Sequence, residues 1–206
     1  MKLFRDIPKN VKALGVVSFF NDAASEMIYP LLPVFLTSVL GVGAGALGVI
    51  EGIAESASSL LKLFSGWLSD KIRKRKPLVI IGYALAGLGR PFIAVSRAWW
   101  QVAVIRFIDR FGKGVRTSPR DALISLSTPE KIRGKSFGFH RAMDHAGAIV
   151  GPVIAIILLK TGMSLKDVFL WALLPGFLTL LIILFFVKER RERGESDTVE
   201  FNFSVL

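Results

Sequence analysis

The sequence contains no cysteine. That excludes disulfides, thiolate metal sites and cysteine nucleophiles. Histidine is nearly absent, with only His140 and His145 among 206 residues, and no metal is assigned. A Gly-x-x-x-x-Gly-Lys-Ser/Thr loop is missing, so the chain carries no ATP-driven motor. A Gly-x-Ser-Gly nucleophile motif is also missing, which removes a rhomboid-type intramembrane protease. No cofactor and no enzymatic activity are expected. Acids are the scarcer charge, 16 Asp and Glu against 27 Lys and Arg, for a net charge of +11. No cleavable signal peptide is visible, because the first apolar stretch holds Asp22 and Glu26 and runs on too far.

Apolar residues are abundant. They make up 52% of the chain, with a mean hydropathy of +0.53. A nucleic-acid binder of this charge needs no such apolar content, so no nucleic-acid partner is expected. A multi-pass membrane protein with basic loops accommodates both features. Six helical spans are predicted, over residues 11–40, 44–70, 77–96, 98–126, 132–160 and 165–187. Each reaches the roughly 20 residues that a helix needs to cross the hydrocarbon core. The fold class is therefore an all-α membrane protein. Residues 1–187 form its six-helix domain, and 188–206 a charged cytoplasmic tail or the start of a linker.

The basic residues are asymmetric. One side carries eighteen: Lys2, Arg5, Lys9 and Lys12; Lys71 and Arg73 to Lys76; Arg116, Arg120, Lys131, Arg133 and Lys135; and Lys188, Arg190, Arg191 and Arg193. The other carries Arg97, Lys160 and Lys166. The positive-inside rule puts both termini in the cytoplasm, with the chain in the cell's inner membrane.

Of the charges inside the spans, twelve are assigned to the membrane interior: Asp22, Glu26, Glu51, Glu55, Asp109, Asp144, Lys62, Arg90, Arg106, Arg110, Lys113 and Arg141. Each costs roughly 2.5–3.5 kcal/mol at the bilayer centre if left alone, so pairing or a hydrated cavity is required. Asp22 and Glu26 share one face of the first helix, and Glu51 and Glu55 one face of the second. Arg106, Arg110, Lys113 and Arg120 form a basic stripe down the fourth. One expectation is that this stripe neutralises both acidic faces. The other is that some of these groups line a solute path. Glycines 41, 43, 45, 48 and 52, and the Gly147/Gly151 pair, have the spacing of close helix packing. Prolines 30, 33, 91, 119, 152 and 175 are expected to kink their helices.

Residues 66–76 read GWLSDKIRKRK. They resemble the loop between the second and third helices of the major facilitator superfamily through Gly66, Leu68, Ser69, Asp70, Lys71, Lys74 and Arg75. GAIVGP at 147–152 is similar to the superfamily's Gly-x-x-x-Gly-Pro on helix five. RFIDRFGKG at 106–114 resembles its helix-four Arg motif through Arg106, Gly112 and Gly114, with Asp109 and Arg110 where Gln and Gly are usual. SFFNDAASEMIYPLLPVFL and DRFGKGVRTSPRDALIS are similar to a poorly characterised prokaryotic branch.

The resemblance implies half of a twelve-helix fold and secondary active transport of a small molecule or ion by alternating access, with proton-coupled antiport as one form. The partner is a second six-helix half, either another copy in a homodimer or a C-terminal half. A non-transporting membrane scaffold is the alternative. The resemblance further implies a substrate or proton site among Asn21, Asp22, Glu26, Tyr29, Arg106, Asp109, Arg110, His140, Arg141 and Asp144. Gating is implied for Gly66, Asp70, Lys71, Arg75, Gly147, Gly151 and Pro152.

Overall fold

The computed structural model describes residues 5–43 and 45–190 of the chain. The outer part of the charged tail, 191–206, lies outside them, as does Lys2. Six helical spans follow one another. The first is α1 (Lys9–Glu26), prolonged by a 3-10 turn (Tyr29–Leu31), one α turn (Leu32–Val34) and a π turn (Phe35–Val39). Then come α2 (Gly45–Ile72), α3 (Lys76–Gly89) with a 3-10 extension (Arg90–Val95), α4 (Trp99–Leu126) and α5 (Arg133–Lys160). The sixth span is α6 (Leu165–Trp171) plus α7 (Leu173–Phe186).

The expected spans are present, but the first is not one continuous helix. Pro30 and Pro33 have no N–H to offer the preceding turn, so the α pattern stops at Glu26 and resumes only in short pieces. Pro91 opens the switch of α3 to 3-10 geometry. By contrast, α4 and α5 run on as α-helix through Pro119 and Pro152. Local signals set other boundaries. Gly162, at φ +88, makes the left-handed turn after α5. Ser164 then starts α6 with a capping box: the Asp167 N–H donates to Ser164 Oγ at 3.3 Å, and the Ser164 N–H donates to Asp167 Oδ2 at 2.9 Å.

Helix packing has an internal symmetry. α1 lies against α5 and α7, whereas α4 lies against α2 and α3. Exchanging the first three spans with the last three maps one set of contacts onto the other, and α3 against α7 maps onto itself. This is the pattern of two inverted three-helix repeats. Close backbone approach makes it possible. A Cβ on Gly147 would lie 2.2 Å from Phe19 O, and one on Gly151 2.5 Å from Ala23 O. On the other arm, Cβ atoms on Gly82 and Gly112 would each meet the other's carbonyl oxygen at 2.5 Å. The run at Gly41 to Gly52 departs from expectation. No atom lies within 4 Å of where a Cβ would stand on Gly41, Gly43, Gly45, Gly48 or Gly52. α2 meets α4 through another face, at Ser58, Leu61 and Ser65.

Two apolar layers close the ends of the bundle. One gathers Met27, Ile28, Phe35, Ile93, Val102 and Phe169. The other gathers Val11, Leu14, Val79, Tyr83, Leu123 and Ile183. On α1 and α4 the stretch between these layers is polar, so the polar groups sit at mid-height. Among the described residues three helices are, by length and composition, apolar enough on their own to cross a membrane: Lys76–Val95, Glu130–Lys160 and Leu165–Phe186. The charged spans α1, α2 and α4 turn those groups inward or toward one open face, as a bilayer requires.

Candidate functional site

At mid-height α1 and α4 face one another across a polar cleft of about 360 Å³. α1 contributes Asn21, Asp22, Ser25 and Glu26, the 3-10 turn after it Tyr29, and α4 contributes Asp109, Arg110, Lys113, Arg116, Thr117 and Arg120. Lys62 of α2, Arg90 at the start of the 3-10 extension of α3, and Arg141 and Asp144 of α5 complete the wall.

Asp109 is the hub. It is 2% exposed, so its charge needs partners. Oδ1 accepts from Arg90 Nε at 2.8 Å. Oδ2 accepts from the Tyr29 hydroxyl at 2.5 Å and from Arg106 Nη1 at 3.3 Å. Arg90 has two further acceptors on α1, Asn21 O at 3.0 Å and Asn21 Oδ1 at 3.2 Å. One buried carboxylate thus ties the first, third and fourth spans together. Arg106 turns its remaining donors on Glu51, which accepts from both Nε and Nη2. Its guanidinium also lies over the Tyr29 ring, 3.7 Å from the centroid. Arg110 approaches Glu51 at 3.4 Å and Glu55 at 3.3 Å.

The acids of α2 are therefore neutralised by the basic stripe of α4. The acids of α1 are not. Among the described residues neither Asp22 nor Glu26 has a cationic group within 4 Å. Asp22 Oδ1 accepts one hydrogen bond, from Asn21 Nδ2 at 2.8 Å. The expectation that the stripe neutralises both acidic faces is thus corrected. Arg90 and Arg106 are instead engaged by Asp109 and Glu51.

Asn21, Asp22, Glu26, Tyr29, Asp109, Arg110, Arg141 and Asp144 border the cleft together. Arg106 lies behind it, 2% exposed. His140, 1% exposed, is turned away into the core. Its Nε2 is 2.8 Å from Ser18 Oγ, which in turn is 3.2 Å from the Tyr83 hydroxyl. Its Nδ1 is 3.7 Å from Asp144, and Arg141 reaches the same carboxylate at 3.6 Å. Sequence reasoning overlooked Arg90 as a site residue. The signal was there: it is the lone charge in an otherwise apolar span, just before Pro91. Arg116 was overlooked too. Buried over the Tyr83 ring at 4.3 Å, it has no acceptor for its Nε.

At the basic end of the bundle, Asp70 accepts from Arg75 Nη2 at 2.9 Å across the turn between α2 and α3. The two form an ion pair within the loop, with Arg75 buried and Asp70 open to solvent. Gly66 packs on Ser118, and Lys71 lies over Trp67 at 4.9 Å. Gly147 and Gly151 form the close α1–α5 contact described above, with Pro152 one residue on.

Comparison with known proteins agrees with this architecture. Residues 14–206 match the Major Facilitator Superfamily family model. An uncharacterized MFS-type transporter of Methanocaldococcus jannaschii is 43% identical over 187 residues, 90% of this chain and 46% of that protein. The multidrug resistance protein MdtH of Photorhabdus laumondii is 29% identical over 71% of this chain and 35% of its own length. In the fold, the human organic anion transporter MFSD10 superposes with a TM-score of 0.73 at 19% identity, covering 88% of this chain and 47% of that one. A POT family transporter in complex with a thioalcohol-conjugated peptide superposes at 0.76 and 16%, covering 92% and 42%. The chain spans less than half the length of the relatives it matches. Its six membrane-spanning helices correspond to one half of the transporter fold, and the chain belongs to the major facilitator superfamily.

Proposed function

We propose that the mid-height cleft is one wall of a solute path, and that this chain is half of a secondary active transporter. A second six-helix unit, another copy or a C-terminal half, forms the facing wall, and rocking of the two gives alternating access. The observation that carries the reading is the contrast between paired and unpaired acids. Asp109 and Glu51 are paired with arginines, while Asp22 and Glu26 face the cleft without a cation within 4 Å among the described residues. Leucine at either position would pack without the desolvation cost. The unpaired acids are therefore assigned to binding a solute or a proton, and proton-coupled antiport is the coupling that two such groups support.

A ligand is first sought by thermal-shift screening of the purified protein against ions, drugs and organic anions, because binding to the folded state raises the melting temperature. Asp22→Asn and Glu26→Gln are then expected to give assembled protein whose affinity for that ligand falls about tenfold or more, roughly 1.4 kcal/mol. The pH dependence of exchange in proteoliposomes is expected to flatten. Wild-type transport at every pH in both variants would overturn the assignment.

Both termini are assigned to the cytoplasm of the inner membrane, a reading supported by the asymmetry of the basic residues. Single cysteines at Lys74 and Thr161, which lie at opposite ends of the bundle, are expected to react with impermeant reagent from opposite sides. The chain's lack of native cysteine makes the measurement clean. Reaction from one side alone would reject this topology.

Asp70 is assigned to a gate that closes on the helix-five N-terminus of the facing unit. The Arg75 pair is its resting contact here. Within that pair Arg75 is buried and Asp70 is open to solvent, so the carboxylate is the partner that reaches a facing unit without being desolvated first. Asp70→Asn is expected to shift the balance between inward- and outward-facing populations, read by spin-label distances. An unchanged balance with unchanged transport would reduce Asp70 to a loop ion pair.

A further inference from the structure

A second cleft, of about 800 Å³, opens at the basic end of the bundle between the start of α1 and the end of α7. It is unrelated to the mid-height site and no solute path is needed to explain it. Its walls are apolar: Ala13 and Val16 on α1 face Ile182, Phe185 and Phe186 on α7. Phe185 and Phe186 are 75% and 67% exposed, so the apolar wall is open to its surroundings. The rim is cationic, formed by Lys9, Lys12, Lys188 and Arg190.

The nearby acids are engaged elsewhere. Asp6 pairs with Lys135 at 3.3 Å, and Glu189 accepts the backbone N–H of Lys76 at 2.8 Å. Among the described residues no carboxylate lies within 4 Å of a side-chain nitrogen of the four rim cations. The rim is also held in place. Asn10, 7% exposed, accepts from the Lys188 N–H at 2.8 Å. Its Nδ2 donates to Lys188 O at 3.1 Å and to Ser127 Oγ at 2.7 Å. The chain leaving α7 is thereby fastened to α1 and the mouth of the cleft is fixed.

We propose that this cleft binds one anionic glycerophospholipid, its phosphate under the four cations and an acyl chain along Val16, Ile182 and Phe185. A small soluble anion leaves the apolar walls unused, and a zwitterionic lipid leaves the cations without net countercharge. The amphipathic outline and the charge complementarity together select an anionic lipid. The position suits the cytoplasmic leaflet, where such lipids concentrate, and in that respect rests on the topology given above.

Native mass spectrometry of the purified full chain tests this, with phosphatidylglycerol, phosphatidylcholine and water-soluble glycerophosphoglycerol as probes. Each basic residue near an anionic surface is worth roughly fivefold in affinity. Phosphatidylglycerol is therefore expected to bind about tenfold or more tightly than phosphatidylcholine, and the soluble headgroup not detectably. Changing Lys9, Lys12, Lys188 and Arg190 together to Gln is expected to abolish the preference. Changing the exposed Arg73, Lys74, Lys131 and Arg133 to Gln removes the same charge elsewhere and is expected to preserve it. Ala13→Phe, which fills the apolar wall with all cations kept, is expected to weaken phosphatidylglycerol binding. Equal loss in both Gln quartets reduces the effect to diffuse surface charge and overturns the proposal, as does headgroup binding equal to lipid binding. A benzophenone photophore at position 185 is expected to crosslink lipid. Crosslinks to residues 191–206 or to a second copy would assign the cleft to protein instead and also overturn it.

Discussion

Asp109→Asn is expected to be the most damaging single change to the polar layer. The substitution keeps the size of the side chain but removes the charge that holds Arg90 at 2.8 Å and helps to hold Arg106. Both guanidiniums stay buried, at 3% and 2% exposure, and Arg90 is left with neutral acceptors alone, the new amide oxygen and the two oxygens of Asn21. Removing one partner of a buried ion pair typically costs about 3–5 kcal/mol. The melting temperature in detergent should fall steeply and the protein should lose monodispersity on size exclusion. Replacing the pair by apolar groups, Asp109→Leu with Arg90→Met, is expected to recover much of that stability, because no uncompensated charge remains. A double variant as unstable as Asp109→Asn would show that shape and the Tyr29 hydrogen bond, rather than the ion pair, hold this layer.

The second large effect is expected at the α1–α5 contact. On Gly147 a Cβ would stand 2.2 Å from the Phe19 carbonyl oxygen and 3.0 Å from Phe19 Cα. Backbone cannot swing aside as a side chain does, so Gly147→Val forces the two helices apart. Overpacking of this kind costs about 1–3 kcal/mol, and more where backbone is the obstacle. Separation of α1 from α5 also moves Asp22 and Glu26 relative to Arg141 and Asp144, so solute binding should suffer with stability. Gly52→Ala is the matched control. No atom lies within 4 Å of its Cβ position, and alanine is favoured over glycine inside a helix by about 1 kcal/mol. The six-helix unit is expected to tolerate it or gain slightly in melting temperature. Equal destabilisation by the two changes would mean that helix propensity, not close approach, governs these positions.

These two glycine sites show where sequence reasoning reached its limit. Both segments carry glycines at the spacing of tight helix packing, yet only Gly147 and Gly151 are packed. Spacing specifies a face of a helix. It does not specify whether another helix meets that face, which depends on the arrangement of all six. The same distinction runs through the charges. The i, i+4 pairs at Asp22/Glu26 and Glu51/Glu55 place each pair of acids on one face, and the structure agrees. Their fates differ because Arg90 and Arg106 are occupied by Asp109 and Glu51. His140 illustrates it again, since its face points at Ser18 and Tyr83 rather than at the cleft. The third, fifth and sixth spans were legible because long apolar runs admit few other readings, and the charged spans because the spacing of their charges keeps each set on one face. The interruption at Met27 and Ile28 was legible only as a kink, because two prolines mark a break without fixing what replaces the helix. The Gly66–Lys76 and Gly147–Pro152 motifs identified the family from residues alone.

The wiring of the polar layer sets an order of events during synthesis. Glu51 depends on Arg106, which follows it by 55 residues. At about 5–20 residues per second, Glu51 leaves the ribosome on the order of 3 to 11 seconds ahead of its countercharge. Through that interval two acids of α2 have no basic stripe to meet, and insertion of each into lipid alone is unfavourable. The nascent hairpin of the first two spans must therefore wait in a sheltered, hydrated place, beside the insertion machinery, until the fourth arrives. Asp109 is the last of the hub's members to be made, after Asn21, Tyr29 and Arg90. Its arrival lets the first, third and fourth spans lock in one step, and a pause in translation shortly before it would prolong the exposure of the unfinished bundle to membrane proteases.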